Sequence, residues 1–157
     1  VDRVRLPSGR EVVREVVLHP GPAVVVPVAS DVTLLLVRQI RYPTREARLE
    51  LPAGKLDPGE GAIACAGREL VEETGMAAGE LIDLGWFYTT PGFSDERIGV
   101  VLARNLTAVE GAELDPDAVE SVVHLRLEEV FEQAADGRIR DAKTLAAVLL
   151  ARTRGYL

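Results

Sequence analysis

Between Gly54 and Met76 the chain carries four glutamates, and three of them, Glu69, Glu72 and Glu73, stand in a stretch with the pattern of a helix. Residues three and four apart share a helix face, so the three carboxylates crowd together and repel one another unless something positive sits there. Arg68 adjoins them and can pair with one acid, Glu60, but it cannot neutralise all. Hard divalent cations such as Mg2+ bind clustered carboxylate oxygens and usually keep waters for a phosphate substrate. The cluster therefore reads as a metal site awaiting a phosphate, against the alternative of a solvated acidic face. Either way this face of the helix is meant for solvent or metal, and only its opposite side is available to a core.

That helix is expected from about Ala62 to Thr74, closed by Gly75, a usual residue after a helix end. Gly61 at its start caps less well than Ser or Asp. Two further helices are expected over about Leu127–Asp136 and Asp141–Thr153. Strands are expected at Val12–Leu18, Ala23–Val28, Val32–Arg38, Leu84–Tyr88, Ile98–Ala103 and Val119–Leu125. Pro7-Ser8-Gly9 and Pro20-Gly21-Pro22 mark turns, and Arg41 to Gly59, with its prolines and glycines, reads mostly as loop. Many short strands with few helices give an α+β or α/β/α layered domain.

At 157 residues the chain is one domain, 1–157, with about 1–18 as N-terminal strands. Apolar residues at 47% and charged residues at 27% exclude disorder, a collagen and a disulfide scaffold. No apolar run approaches membrane-spanning length, and no basic-then-apolar segment opens the chain. A single cysteine, Cys65, cannot form an internal disulfide; it fits a reducing cytoplasm and a packing role. The net charge of −7 argues against a nucleic-acid binder but not against an anionic substrate, since metal ions invert local charge. Two lysines against sixteen arginines read as a GC-rich genome and say little about function.

Seven positions of the segment are set at fixed spacing: Gly54, Glu60, Arg68, Glu69, Glu72, Glu73 and Gly75. At average residue usage such a match arises with a chance on the order of 10^-8 per start position. The segment resembles the signature of the Nudix hydrolases without a departure. The resemblance implies the Nudix fold, a mixed sheet between helices, and hydrolysis of a nucleoside diphosphate linked to another moiety. It also implies that Glu69 and Glu73 are metal ligands and that Glu72 is a ligand or water activator. The Ala53 carbonyl adds a ligand, Gly54 and Gly75 shape the loops, and Arg68 with Glu60 buttresses the helix.

Pro91 follows Gly75 by sixteen positions, within Thr90-Pro91-Gly92-Phe93-Ser94-Asp95-Glu96. That loop, with Val37–Pro43 and Leu49–Gly54, resembles the ADP-ribose pyrophosphatase branch. The substrate implied is ADP-ribose, split to AMP and ribose 5-phosphate with Mg2+, or Mn2+ or another divalent cation, by a homodimer joined through N-terminal strands. Arg38, Arg41, Glu50, Pro91, Phe93 and Glu96 are then substrate-binding candidates. A guanidinium at Arg41 could grip diphosphate oxygens bidentately, and Phe87, Tyr88 or Phe93 could stack on adenine. The base is sought among Glu113, Asp115, Asp117 and Glu120, with Asp117 and Glu120 preferred; Pro116 and Ala118 stand where the branch has acids, so Glu72 stays open as the alternative. Rivals are another Nudix substrate (GDP-mannose, a dinucleoside polyphosphate or a nucleoside triphosphate) and a non-catalytic nucleotide-sugar sensor. His19 and His124 are expected to be packing residues.

Overall fold

Twelve elements follow one another in a computed structural model that describes residues 1–29, 32–112, 114 and 119–157. They are β1 (Asp2–Arg5), β2 (Glu11–Arg14), β3 (Pro22–Pro27), β4 (Thr33–Arg41), β5 (Glu46–Glu50), β6 (Ala53–Lys55), α1 (Ala62–Thr74), β7 (Met76–Tyr88), β8 (Arg97–Ala108), β9 (Ser121–Arg126), α2 (Leu127–Ala135) and α3 (Ala142–Thr153).

The central layer is a mixed sheet in the order β6-β3-β8-β7, with β3 parallel to β8 and the other pairs antiparallel. A second, antiparallel sheet runs β5-β4-β9, and β1 with β2 forms a separate hairpin. β3 is apolar at successive positions because both of its faces are covered. Ala23 and Val25 pack with Cys65, Ala66 and Leu70 of α1. Val24 and Val26 point the other way, into a core shared with Leu34 and Leu36 of β4 and Ala147, Val148 and Ala151 of α3. Burying a side chain such as Leu70 contributes about 2 kcal/mol, so this half of α1 anchors the helix while its acidic half is left for chemistry. Cys65 is buried, and burial pushes its thiol up to about 11, which makes it the packing residue expected.

Helix boundaries agree with the sequence to within a residue. Gly75 takes a left-handed φ of 69° and donates its N–H to the Val71 carbonyl, a conformation that favours glycine. The strands needed more correction. Arg41 to Gly59 holds β5 and β6, whose polar and glycine-rich residues mask two short strands. Of Val12–Leu18 only Val12–Arg14 lies in a strand, β2; Val17 instead makes an isolated bridge to Ser94. β7 begins eight residues before the expected Leu84, and a register shift between Asp83 and Trp86, with Gly85 at φ 82°, breaks its alternation. Among the described residues no helix is long and apolar enough to cross a membrane.

Candidate active site

One turn separates Glu69 from Glu73 on α1, and both turn inward, at 9% and 6% exposure. Glu69 lies against the backbone of Gly54 in β6. A methyl group at Gly54 would sit 1.7 Å from Glu69 Oε1, so only glycine admits the carboxylate there. Glu73 accepts the Ala53 N–H at 3.0 Å on Oε2 and the Gln39 Nε2 at 2.6 Å on Oε1. Burial pushes Glu73 up to about 7 despite those two bonds, and burial raises Glu69 as well.

Arg68 does more than the sequence indicated. Its Nε and Nη2 clasp Glu60 at 3.1 and 2.9 Å, and the bond from Arg68 draws Glu60 down to about 2. Its Nη1 reaches Glu69 at 2.6 Å and Glu72 at 3.1 Å, and Nη2 also donates to the Lys55 carbonyl at 3.1 Å. One guanidinium thus ties the loop before α1 to the helix. Glu72 is exposed and bonded to Arg68, apart from the buried pair. Among the described residues no three His, Cys, Asp or Glu side chains already surround one point. The donor set nonetheless suits a hard cation. Two carboxylates stand side by side almost stripped of water, and among the described residues Glu73 has no ion-pair partner.

Beside Ala53, Gly54 and Lys55 opens a cleft of about 620 Å³. Arg41 and Glu50 line it, joined by Nε to Oε1 at 3.1 Å and Nη2 to Oε2 at 2.7 Å. The Nε–Nη2 edge of Arg41 is therefore engaged by Glu50, and the edge at Nη1 is the one that can face a ligand. Glu50 is almost wholly buried. Burial raises it, but the bonds and charges of Arg41 and Lys143 outweigh burial and leave it below the usual carboxylate range. Glu96 also lines the cleft, accepting the Thr89 hydroxyl at 2.6 Å.

Other candidates fall elsewhere. Arg38 is exposed, and its carbonyl accepts the Glu120 N–H at 2.8 Å. Pro91 and Phe93 form an exposed turn outside the cleft, and Phe87 packs against the core, so neither aromatic lines it. Tyr88 stands edge-to-face with Trp86 in a neighbouring cleft of about 510 Å³. Glu120 is exposed ahead of β9; Glu113, Asp115 and Asp117 lie outside the described residues. His19 is not a packing residue: it lines both clefts, with Nδ1 accepting the Gly21 N–H at 3.1 Å. His124 is exposed on β9, not packed.

The sequence reading missed Gln39, Lys143, Asp141 and Thr144. Gln39 is a buried amide in β4 between the exposed Arg38 and Ile40, and Asp141 caps α3 by accepting the Thr144 N–H at 2.9 Å. The Asp–x–Lys–Thr order at a helix start was the available signal.

Residues 19–148 match the model of the NUDIX domain family. An ADP-ribose pyrophosphatase of Bacillus subtilis is 40% identical over 149 residues, covering 94% of this chain and 80% of that protein. A methanol dehydrogenase activator of Bacillus methanolicus is likewise 40% identical over 149 residues, with the same coverage. A crystal structure of an ADP compounds hydrolase superposes with a TM-score of 0.82 over 99% of this chain and 86% of that one, at 24% identity, which shows a shared fold. With the family model matching residues 19–148 and a relative 40% identical over most of both chains, the chain belongs to the Nudix hydrolase family.

Proposed function

We propose that this chain hydrolyses the diphosphate of a nucleoside diphosphate sugar, ADP-ribose before others, to AMP and ribose 5-phosphate. The observation that carries the reading is the buried Glu69–Glu73 pair opening beside a 620 Å³ cleft that Arg41 and Lys143 line. The name of the Bacillus subtilis relative points to the same substrate. Glu69, Glu73, Glu72 and the Ala53 carbonyl would hold Mg2+, which when bound neutralises phosphate charge and lowers the pKa of a water.

The protein's own residues do the rest. Gly54 leaves Glu69 its place, Arg68 fixes the helix, and Arg41 orients the diphosphate so that its bridging bond lies in line for attack. A carboxylate takes the proton of the attacking water as its oxygen bonds to phosphorus, and the bridging P–O bond breaks towards the departing phosphate. We assign that base to the loop around 113–120, with Asp117 and Glu120 first and Glu72 as the alternative. The exposed Val13, Val16, Val17 and Leu18 support pairing of two copies through the N-terminal arm.

The test is a panel of ADP-ribose, ADP-glucose, GDP-mannose, diadenosine polyphosphates and ATP with Mg2+. ADP-ribose should give the highest kcat/KM. A lead of tenfold or more by a compound that is not an ADP-sugar, about 1.4 kcal/mol of transition-state preference, overturns the substrate. Absence of turnover on the whole panel turns the reading to a nucleotide-sugar sensor.

A further inference from the structure

The chain has only two lysines, Lys55 and Lys143, against sixteen arginines, and both line the catalytic cleft. Composition alone gives that skew no meaning; its location does. Lys143 is the second residue of α3, where a cation opposes the positive end of the helix dipole. It does not serve the helix, then, and its surroundings say what it serves.

The Lys143 side chain is 14% exposed, and its ammonium sits between two carboxylates. Lys143 Nζ donates to Asp141 Oδ2 at 2.9 Å and to Glu50 Oε2 in a short contact. Asp141 is itself fixed, accepting the Thr144 N–H at 2.9 Å and the Thr144 hydroxyl at 2.7 Å. That hydroxyl in turn accepts the Leu51 N–H at 2.8 Å, so the start of α3 is pinned to the end of β5. Glu50 Oε2, at the end of this chain of bonds, also accepts Arg41 Nη2 at 2.7 Å. The charges of Arg41, Glu50, Lys143 and Asp141 cancel, which permits the burial of Glu50 beside the half-buried Lys143 and Asp141 and the exposed Arg41. A compact ammonium fits between two carboxylates where a planar guanidinium demands a wider fork.

We propose that Lys143 is a positioning residue for Arg41: held by Asp141, it fixes the buried Glu50 carboxylate, and Glu50 presents the Arg41 guanidinium to the diphosphate. The inference rests on the reading above only in taking Arg41 as the diphosphate-orienting group.

Inorganic pyrophosphate tests it, because it carries neither nucleoside nor sugar. The outcome is then independent of whether ADP-ribose is the substrate, which the panel decides. Pyrophosphate affinity is measured by calorimetry at fixed salt for the parent, Lys143→Met, Arg41→Met and the double variant. Lys143→Met should weaken binding about tenfold, and the double variant should bind no more weakly than Arg41→Met alone. If the losses of the two single variants multiply, Lys143 attracts the anion with its own charge and the proposal fails. It fails equally if Arg41→Met binds like the parent, if the parent does not bind pyrophosphate, or if Lys143→Met lowers Tm while leaving affinity unchanged. Should Lys143→Met not fold, Lys143→Gln takes its place in the cycle with the same expectations.

Discussion

Replacing Glu73 with Gln should make the metal-free protein more stable and leave it inactive. Glu73 is 6% exposed, and burial lifts its carboxyl from the ordinary 4.5 to about 7. Ionising it inside the fold therefore costs about 3 kcal/mol relative to the unfolded chain. Below pH 4.5 the carboxyl is protonated in both states and the penalty is absent. Between pH 4.5 and 7 the unfolded chain releases the proton and the folded chain keeps it, so the penalty grows with pH. Above pH 7 it is full. The substituted amide would be neutral throughout, with an oxygen for the Ala53 N–H, and Gln39 can turn its own amide to accept from the new NH2. In EDTA at about pH 8 the variant should gain roughly 1–3 kcal/mol; at about 2–4 °C per kcal/mol for a chain of this size, Tm rises by several degrees. At pH 4.5 the two proteins should melt together. Adding Mg2+ should raise the parent's Tm and move the variant's far less, since a ligand stabilises only the state that binds it. Turnover of ADP-ribose should fall at least about a hundredfold. Melting curves of both proteins at about pH 4.5, 6 and 8, with and without Mg2+, check all of this. A variant that melts below the parent at the alkaline end, by the same margin as at the acid end, refutes the reasoning.

Two shorter tests bear on neighbouring residues. Gly54→Ala places a methyl 1.7 Å from where Glu69 Oε1 now lies, so the Glu69 side chain should swing aside at little cost to the fold while kcat falls about a hundredfold; near-parental kcat would mean that Glu69 functions equally well displaced. Amide variants at Glu72, Glu113, Asp115, Asp117 and Glu120 locate the base: Asp117→Asn or Glu120→Gln should cut kcat by about a hundredfold or more and flatten the acid limb of the pH profile, while loop variants all within about threefold of the parent move the base to the signature helix or to Glu96.

The signature was legible because its chemistry is written in local spacing. Helix period alone puts Glu69 and Glu73 on one face, and Gly75 closes the helix where the sequence says it closes. What escaped depends on contacts between distant segments. Nothing in the neighbouring sequence of Gln39 or Lys143 indicates that one meets Glu73 and the other Glu50, 93 residues away in sequence. Arg41 and Glu50 are each read from the sequence as a ligand-binding candidate; spacing does not reveal that two such side chains bond to each other. β7 escaped for a different reason. Its residues alternate poorly because the shift between Asp83 and Trp86 interrupts the period of two on which strand recognition rests.

The parallel pairing of β3 with β8 sets Ala23 opposite Gly99 and Val26 opposite Leu102, so the middle of the central sheet joins the two ends of a loop of about seventy-five residues. That loop contains the whole signature. As the chain leaves the ribosome, α1 emerges with its buried side, Cys65, Ala66 and Leu70, facing only half of its eventual partners, because Val101 and Ala103 are still to be made. Closing so long a loop through a non-local pairing is slow compared with forming a helix. A nascent chain ending before β8 therefore holds all seven signature residues and no site: the motif is inherited in one piece, but the cleft that makes it useful is among the last things the chain assembles.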